Sequence, residues 1–182
     1  IPDIRENMVA GFTAESVFEF LGGHYRPSYR PLNEGIISGR LRGAAAIVGC
    51  NNPKVTPDYG HVTMTKELLA NDVLVVTTGC TAIADAKARL LDPGEALKYC
   101  GKGLREICKA VGIPPVLHMG ACVDISRVMV ILSNMVDQGG LGNSIADLPA
   151  AGAAPEWMSE KAGGIGFYVL ASGVYTVLGQ PL

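Results

Sequence analysis

Cys50, Cys80 and Cys122 are the side chains with the most chemistry to offer. Each follows a glycine by one or two positions, in Gly49-Cys50, Gly79-Cys80 and Gly120-Ala121-Cys122. Each pair stands just past a short apolar run, at residues 43–48, 72–76 and 116–119. A thiolate is a nucleophile and a soft metal ligand, and a helix N-terminus favours it. Helices are expected after Cys80 and after Cys122. A glycine beside each cysteine leaves room for a bulky inorganic group to approach the backbone. Separations of 30 and 42 residues match no local zinc pattern such as CxxC. The ligands must therefore converge through the fold. Burial alone favours packed structural cysteines; recurrence at equivalent strand ends favours metal.

Other reactive side chains point to plainer roles. Cys100 and Cys108 fall eight apart on the apolar face of one expected helix and read as core. His118, four residues before Cys122, is a ligand or proton donor on one reading and a packed histidine bonded to backbone on the favoured one. His24 and His61 carry no partner signal. Lys161 sits on an otherwise apolar stretch with Ile165 one turn later. Such a lysine ordinarily snorkels to solvent; aimed into a metal pocket it would oppose an anion. Glycines 139, 140 and 142 form no nucleotide loop, because no GxGxxG follows the first strand and no Walker pattern exists.

The elements that must position these groups alternate strand and helix. Thr13 is the expected N-cap of a helix over 14–21, ended by Gly22-Gly23. An extended connector with two prolines spans 24–31, and a weak helix spans 32–41. Strands are expected at 43–48, 72–77, 116–119, 145–148 and 175–178. Helices are expected at 61–70, 82–91, 94–111, 125–136 and from 156 onward. Val62 and Leu69 face inward from the helix at 61–70, and Ile83, Ala86 and Leu90 from the next. Asp124 is the expected cap of the helix at 125–136. This alternation predicts right-handed βαβ units: an α/β, Rossmann-like fold with a mostly parallel sheet and helices on both faces. Residues 1–42 read as an N-terminal helical connector region of the same domain, and 43–182 as its α/β cluster-binding part.

Composition narrows the function. The chain has 182 residues, 48% hydrophobic and 18% charged, enough for one core and against disorder. A net charge of −2 with no basic run gives no electrostatic case for nucleic acid. No apolar run reaches the roughly 18 residues of a membrane span, and the longest, 123–136, carries Asp124 and Arg127. Five cysteines with no secretory signal argue for free thiols or metal ligands in a reducing compartment. The chain opens at Ile1-Pro2 and stops just after a strand-like run, as a piece of a longer protein would.

Four motifs in order resemble a known family. Gly49-Cys50-Asn51-Asn52-Pro53-Lys54, Thr77-Thr78-Gly79-Cys80, His118-Met119-Gly120-Ala121-Cys122-Val123-Asp124 and Glu156-Trp157-Met158-Ser159-Glu160-Lys161 resemble the catalytic subunit of anaerobic nickel–iron carbon monoxide dehydrogenase. The resemblance runs along nearly the whole chain, most securely from Gly43 to Gly179. It implies a nickel–iron–sulfur cluster, with Cys50 and Cys80 on irons and Cys122 on nickel. Lys161 is then the pocket lysine that steadies CO2 and hydroxide, and Ile165 shapes the CO site. The implied reaction takes CO and water to CO2, protons and electrons. The family also implies a cytoplasmic homodimer, further 4Fe-4S clusters in other domains, a ferredoxin-like electron acceptor and, in some members, an acetyl-CoA synthase partner. The family's cluster needs a histidine and two more cysteines from a preceding domain, so this chain is expected to be the last domain of a longer subunit and inactive alone. Two rival readings stand beside it: a non-catalytic α/β domain with buried cysteines, and an iron–sulfur protein of the related hybrid-cluster family.

Overall fold

The computed structural model describes residue 3 and residues 5–180. Five strands, β1 (Gly43–Ile47), β2 (Val73–Thr77), β3 (Val116–His118), β4 (Ala150–Ala154) and β5 (Tyr175–Leu178), form one sheet. The helices are α1 (Ala14–Gly22), α2 (Arg30–Ile37), α3 (Tyr59–Ala70), α4 (Gly79–Lys87), α5 (Pro93–Ala96), α6 (Lys102–Val111), α7 (Ile125–Gln138) and α8 (Glu160–Ala171). Every neighbouring strand pair is parallel, in the order β3-β2-β1-β4-β5. The chain winds outward from β1 to β3, then crosses back to β4 and β5. Its direction reverses between β1 and β4, so the loops leaving those two strands part and open a crevice at their carboxyl ends.

Alternation along the strands assigns the faces. Ala46, Leu74 and Val76 meet Leu32 of α2, Leu132 of α7 and Val169 of α8 around an apolar cavity of about 50 Å³. Thr77, one step out of phase, faces Asp85 of α4, on the side where α3 packs against β1 and β2. Helices therefore cover both faces of the sheet, as expected for strands that are apolar throughout. Thr13 caps α1: its hydroxyl accepts from Ser16 N–H at 3.2 Å, and the Ser16 hydroxyl accepts from Thr13 N–H at 2.8 Å.

Several expected boundaries shift, each for a physical reason. The fourth strand lies at Ala150–Ala154, not 145–148, where a 3-10 turn sits instead. The Asp147 carboxylate accepts from the N–H groups of Asn143 and Ser144 and closes that turn. The last helix starts at Glu160, because Glu156 is held instead at the start of α3, where its carboxylate accepts from Gly60 N–H. The helix expected over 94–111 breaks into α5 and α6. The carboxylate of Asp72 accepts from Leu104 N–H at 2.8 Å, and a Cβ on Gly103 would stand 1.9 Å from the Arg40 carbonyl. The second half of the stretch thus re-enters as a new helix seated on α2. α2 begins inside the expected connector, with Pro31 in its first turn, and ends before Gly39. α4 begins three residues early, at Gly79, and its inward residues are Thr81, Ala82, Ala84 and Asp85 rather than Ile83, which is exposed. On α3 the buried residue at the start is His61; Val62 is half-buried.

Candidate metal centre

Cys50 lies three residues beyond β1, Cys80 in the first turn of α4 beyond β2, and Cys122 in a 3-10 turn beyond β3. All three follow the carboxyl ends of parallel strands, and Lys161 joins them from the first turn of α8 beyond β4. The crevice between β1 and β4 brings these loops together. Cys50, Cys122, Lys161 and Ile165 line one small pocket there with Val48 and Ala162. Cys80 adjoins it through its neighbour: a Cβ on Gly79 would stand 3.2 Å from the Cys122 Cβ, and Gly79 N–H donates to the Gly120 carbonyl at 2.9 Å. The Cys80 side chain is exposed.

Electrostatics links all three sulfurs to the lysine. The Lys161 ammonium is held above its ordinary pKa by the neighbouring Cys122 sulfur first, then by Cys50 and Cys80. The Lys161 side chain is exposed at the rim of the crevice, with the Cys122 sulfur as its nearest influence. Among the described residues no three His, Cys, Asp or Glu side chains stand close enough to hold a single metal ion. The donor set is spread along the rim of the crevice.

The backbone of Cys50 is fixed from both sides. Its N–H donates to the Glu156 carbonyl at 2.9 Å, and its own carbonyl accepts from His61 Nε2 at 2.7 Å. Gly49 precedes it at φ +136°, where a Cβ would stand 2.3 Å from the Glu156 carbonyl oxygen, so no larger residue fits. Glu156 is 2% exposed, and its carboxylate accepts from the N–H groups of Gly60 at 2.9 Å and Asp58 at 3.3 Å. It serves as an N-terminal cap for α3 supplied from a distant loop. The Cys122 turn is held differently. Asp124 accepts from Ala121 N–H at 2.7 Å and pairs with Arg127, which donates to the Met119 carbonyl at 2.8 Å. Asp124 stands at the expected N-cap position of α7, but its carboxylate braces the preceding turn.

The remaining candidates stand apart. Cys100 and Cys108 are 4% and 3% exposed, and burial pushes their thiols up to about 11 and about 12. His118 Nδ1 accepts from Gly120 N–H at 3.0 Å, and burial lowers its pKa. It is the backbone-bonded histidine that its position favoured. His24 packs edge-on to Tyr25 in the loop after α1. His61 and Glu156 carried no signal as partners of Cys50; only the fold brings them together.

The Prismane/CO dehydrogenase family model matches residues 4–182. Carbon monoxide dehydrogenase 1 of Methanosarcina acetivorans is 56% identical over 98% of this chain and 27% of its own length. The carbon monoxide dehydrogenase/acetyl-CoA synthase subunit beta of Moorella thermoacetica is 42% identical over 98% of this chain and 28% of its own. Among solved structures, a nickel-free carbon monoxide dehydrogenase from Thermococcus sp. AM4, produced without the CooC maturase, superposes with a TM-score of 0.86 and 53% identity. That match covers 93% of this chain and 26% of the other. The chain thus spans about a quarter of the length of these relatives.

Proposed function

The chain belongs to the Prismane/CO dehydrogenase family, and from that premise we propose that it supplies one rim of a nickel–iron–sulfur site that converts CO and water to CO2, two protons and two electrons. The observation that carries the reading is the shared pocket of Cys50, Cys122, Lys161 and Ile165 at the β1/β4 crevice. The donor set fits such a cluster: three free thiols beside a cation, with no carboxylate lining the pocket. Soft thiolates are the usual ligands of iron–sulfur clusters.

In this reading Cys50 and Cys80 hold irons and Cys122 holds nickel. The cluster, when bound, supplies Lewis acidity and a two-electron sink. Lys161 sets a fixed positive charge where a carboxylate develops from CO, and so lowers the cost of that charge. Val48, Ala162 and Ile165 form the apolar wall, and they also line the cavity beneath the pocket. Such a wall admits a small uncharged molecule and excludes bulk water. Residues 43–182 form the cluster-binding part and 1–42 a helical connector region of the same domain. The whole protein, longer than this chain, brings the other ligands and further 4Fe-4S clusters. It works in the cytoplasm as a homodimer, with a ferredoxin-like electron acceptor and, in some settings, acetyl-CoA synthase. Among the described residues no helix is long and apolar enough to cross a membrane.

The test is the full-length protein, purified without oxygen and assayed for CO-dependent dye reduction and metal content. We expect nickel with several irons. Lys161→Ala should keep the metals and lose about 100-fold in kcat, as for loss of one charge-stabilising group. Iron without nickel would support the hybrid-cluster reading instead, and no metal at all the non-catalytic one.

A further inference from the structure

His61 is the largest polar side chain buried behind the candidate metal centre, with no exposure at all. Both ring nitrogens are engaged. Nε2 lies 2.7 Å from the Cys50 carbonyl, and because a carbonyl only accepts, Nε2 carries the hydrogen. Nδ1 lies 3.0 Å from the Thr81 hydroxyl. Thr81 is itself fully buried and directly follows Cys80. One imidazole thus spans from the backbone of one cysteine to the residue beside the next. The remaining side of the Cys50 peptide is held by the Glu156 carbonyl, and the Glu156 carboxylate caps the same helix that carries His61. The Cys50 loop has no helix or strand of its own to hold it.

We propose that His61 is a positioning residue: it locks the Cys50 loop to the start of α4, so that the Cys50 and Cys80 sulfurs are presented to the metals at one fixed separation. The proposal rests on the reading that Cys50 and Cys80 are ligands. A partner that orients a ligand from outside its coordination sphere typically contributes 10–100-fold in metal affinity, and loop-borne ligands depend most on such support.

Asparagine and glutamine separate this role from simple packing. The Gln amide reaches the place of Nε2 and can still donate to the Cys50 carbonyl; the Asn amide reaches only the place of Nδ1. In the full-length protein we expect His61→Asn to lose iron to a chelator about 10-fold faster than wild type and to change the electron paramagnetic resonance spectrum of the reduced cluster. His61→Gln should retain most of the wild-type spectrum. Thermal unfolding of the metal-free forms measures the packing cost of each separately. If His61→Asn does not fold, Thr81→Val decides, since it removes only the hydroxyl at Nδ1: a shifted spectrum supports the proposal and an unchanged one overturns it. Identical spectra and metal retention in His61→Asn, His61→Gln and wild type would overturn it too, provided Cys50→Ala loses metal. If Cys50→Ala keeps its full complement, the ligand reading itself falls, and the proposal with it.

Discussion

Desolvation that pushes the thiols of Cys100 and Cys108 up to about 11 and about 12 keeps them protonated and inert. Cys50, Cys80 and Cys122 differ in place: each follows the carboxyl end of a parallel strand, and Cys50 and Cys122 share a pocket with Lys161. Cys100→Ala should therefore cost ~1–2 kcal/mol in a denaturant titration through lost packing and leave metal content unchanged. Alanine at Cys50, Cys80 or Cys122 should strip metal from the full-length protein. Asp85 makes a second prediction. It is fully buried, and burial raises its carboxyl from 3.8 to about 7 against the hydrogen bond from Thr65. Oδ2 accepts that bond at 3.2 Å, Oδ1 has no partner, and the Thr77 hydroxyl lies beside the carboxyl without completing a bond. The folded protein keeps this proton to a pH where the unfolded chain has lost it. Its contribution to stability is full below about pH 4 and is lost as pH rises towards about 7. Asp85→Asn should flatten that decline and raise the melting temperature at pH 8. An unchanged pH profile in circular-dichroism melts would count against the buried, protonated carboxyl.

Strands written as mostly apolar runs were readable in the sequence: β1, β2, β3 and β5 lie within a residue of their expected places. β4 was not, because Ala-Ala-Gly-Ala-Ala has neither branched nor aromatic side chains. Its small residues serve close packing instead: a Cβ on Gly152 would stand 3.3 Å from a methyl of Val169 in α8. The break between α5 and α6 was hidden for another reason. It is made by Asp72, a residue 32 positions from the N–H it caps. The placement of the three cysteines past strand ends was readable, since each follows its own apolar run within a few residues in the sequence. The Glu156 and His61 contacts were not, since no local pattern marks a cap supplied across the fold. Glu156→Ala removes that cap and leaves the N–H groups of Asp58 and Gly60 without partners. We expect a loss of about 1–3 kcal/mol in urea unfolding, with Glu156→Gln recovering part of it through its amide oxygen.

The molecule presents its cysteine rim on one side, with Cys80 and Lys161 exposed there. It covers about 27% of the length of its Methanosarcina relative, and on the function proposed above the cluster takes further ligands from the rest of the protein. The isolated 182-residue chain, reconstituted with iron, sulfide and nickel, should therefore show no CO-dependent dye reduction. Robust turnover would mean that the rim suffices. The outer surface of α8 and β5 is also apolar, with Phe167 and Tyr175 each 71% exposed, which is the character of a face meant to be covered. The decisive measurement is anomalous diffraction at the iron and nickel edges from crystals of the full-length protein. We expect iron bonded to the sulfurs of Cys50 and Cys80 and nickel bonded to that of Cys122, all within the β1/β4 crevice. Metals bound elsewhere, with those three thiols free, would contradict it.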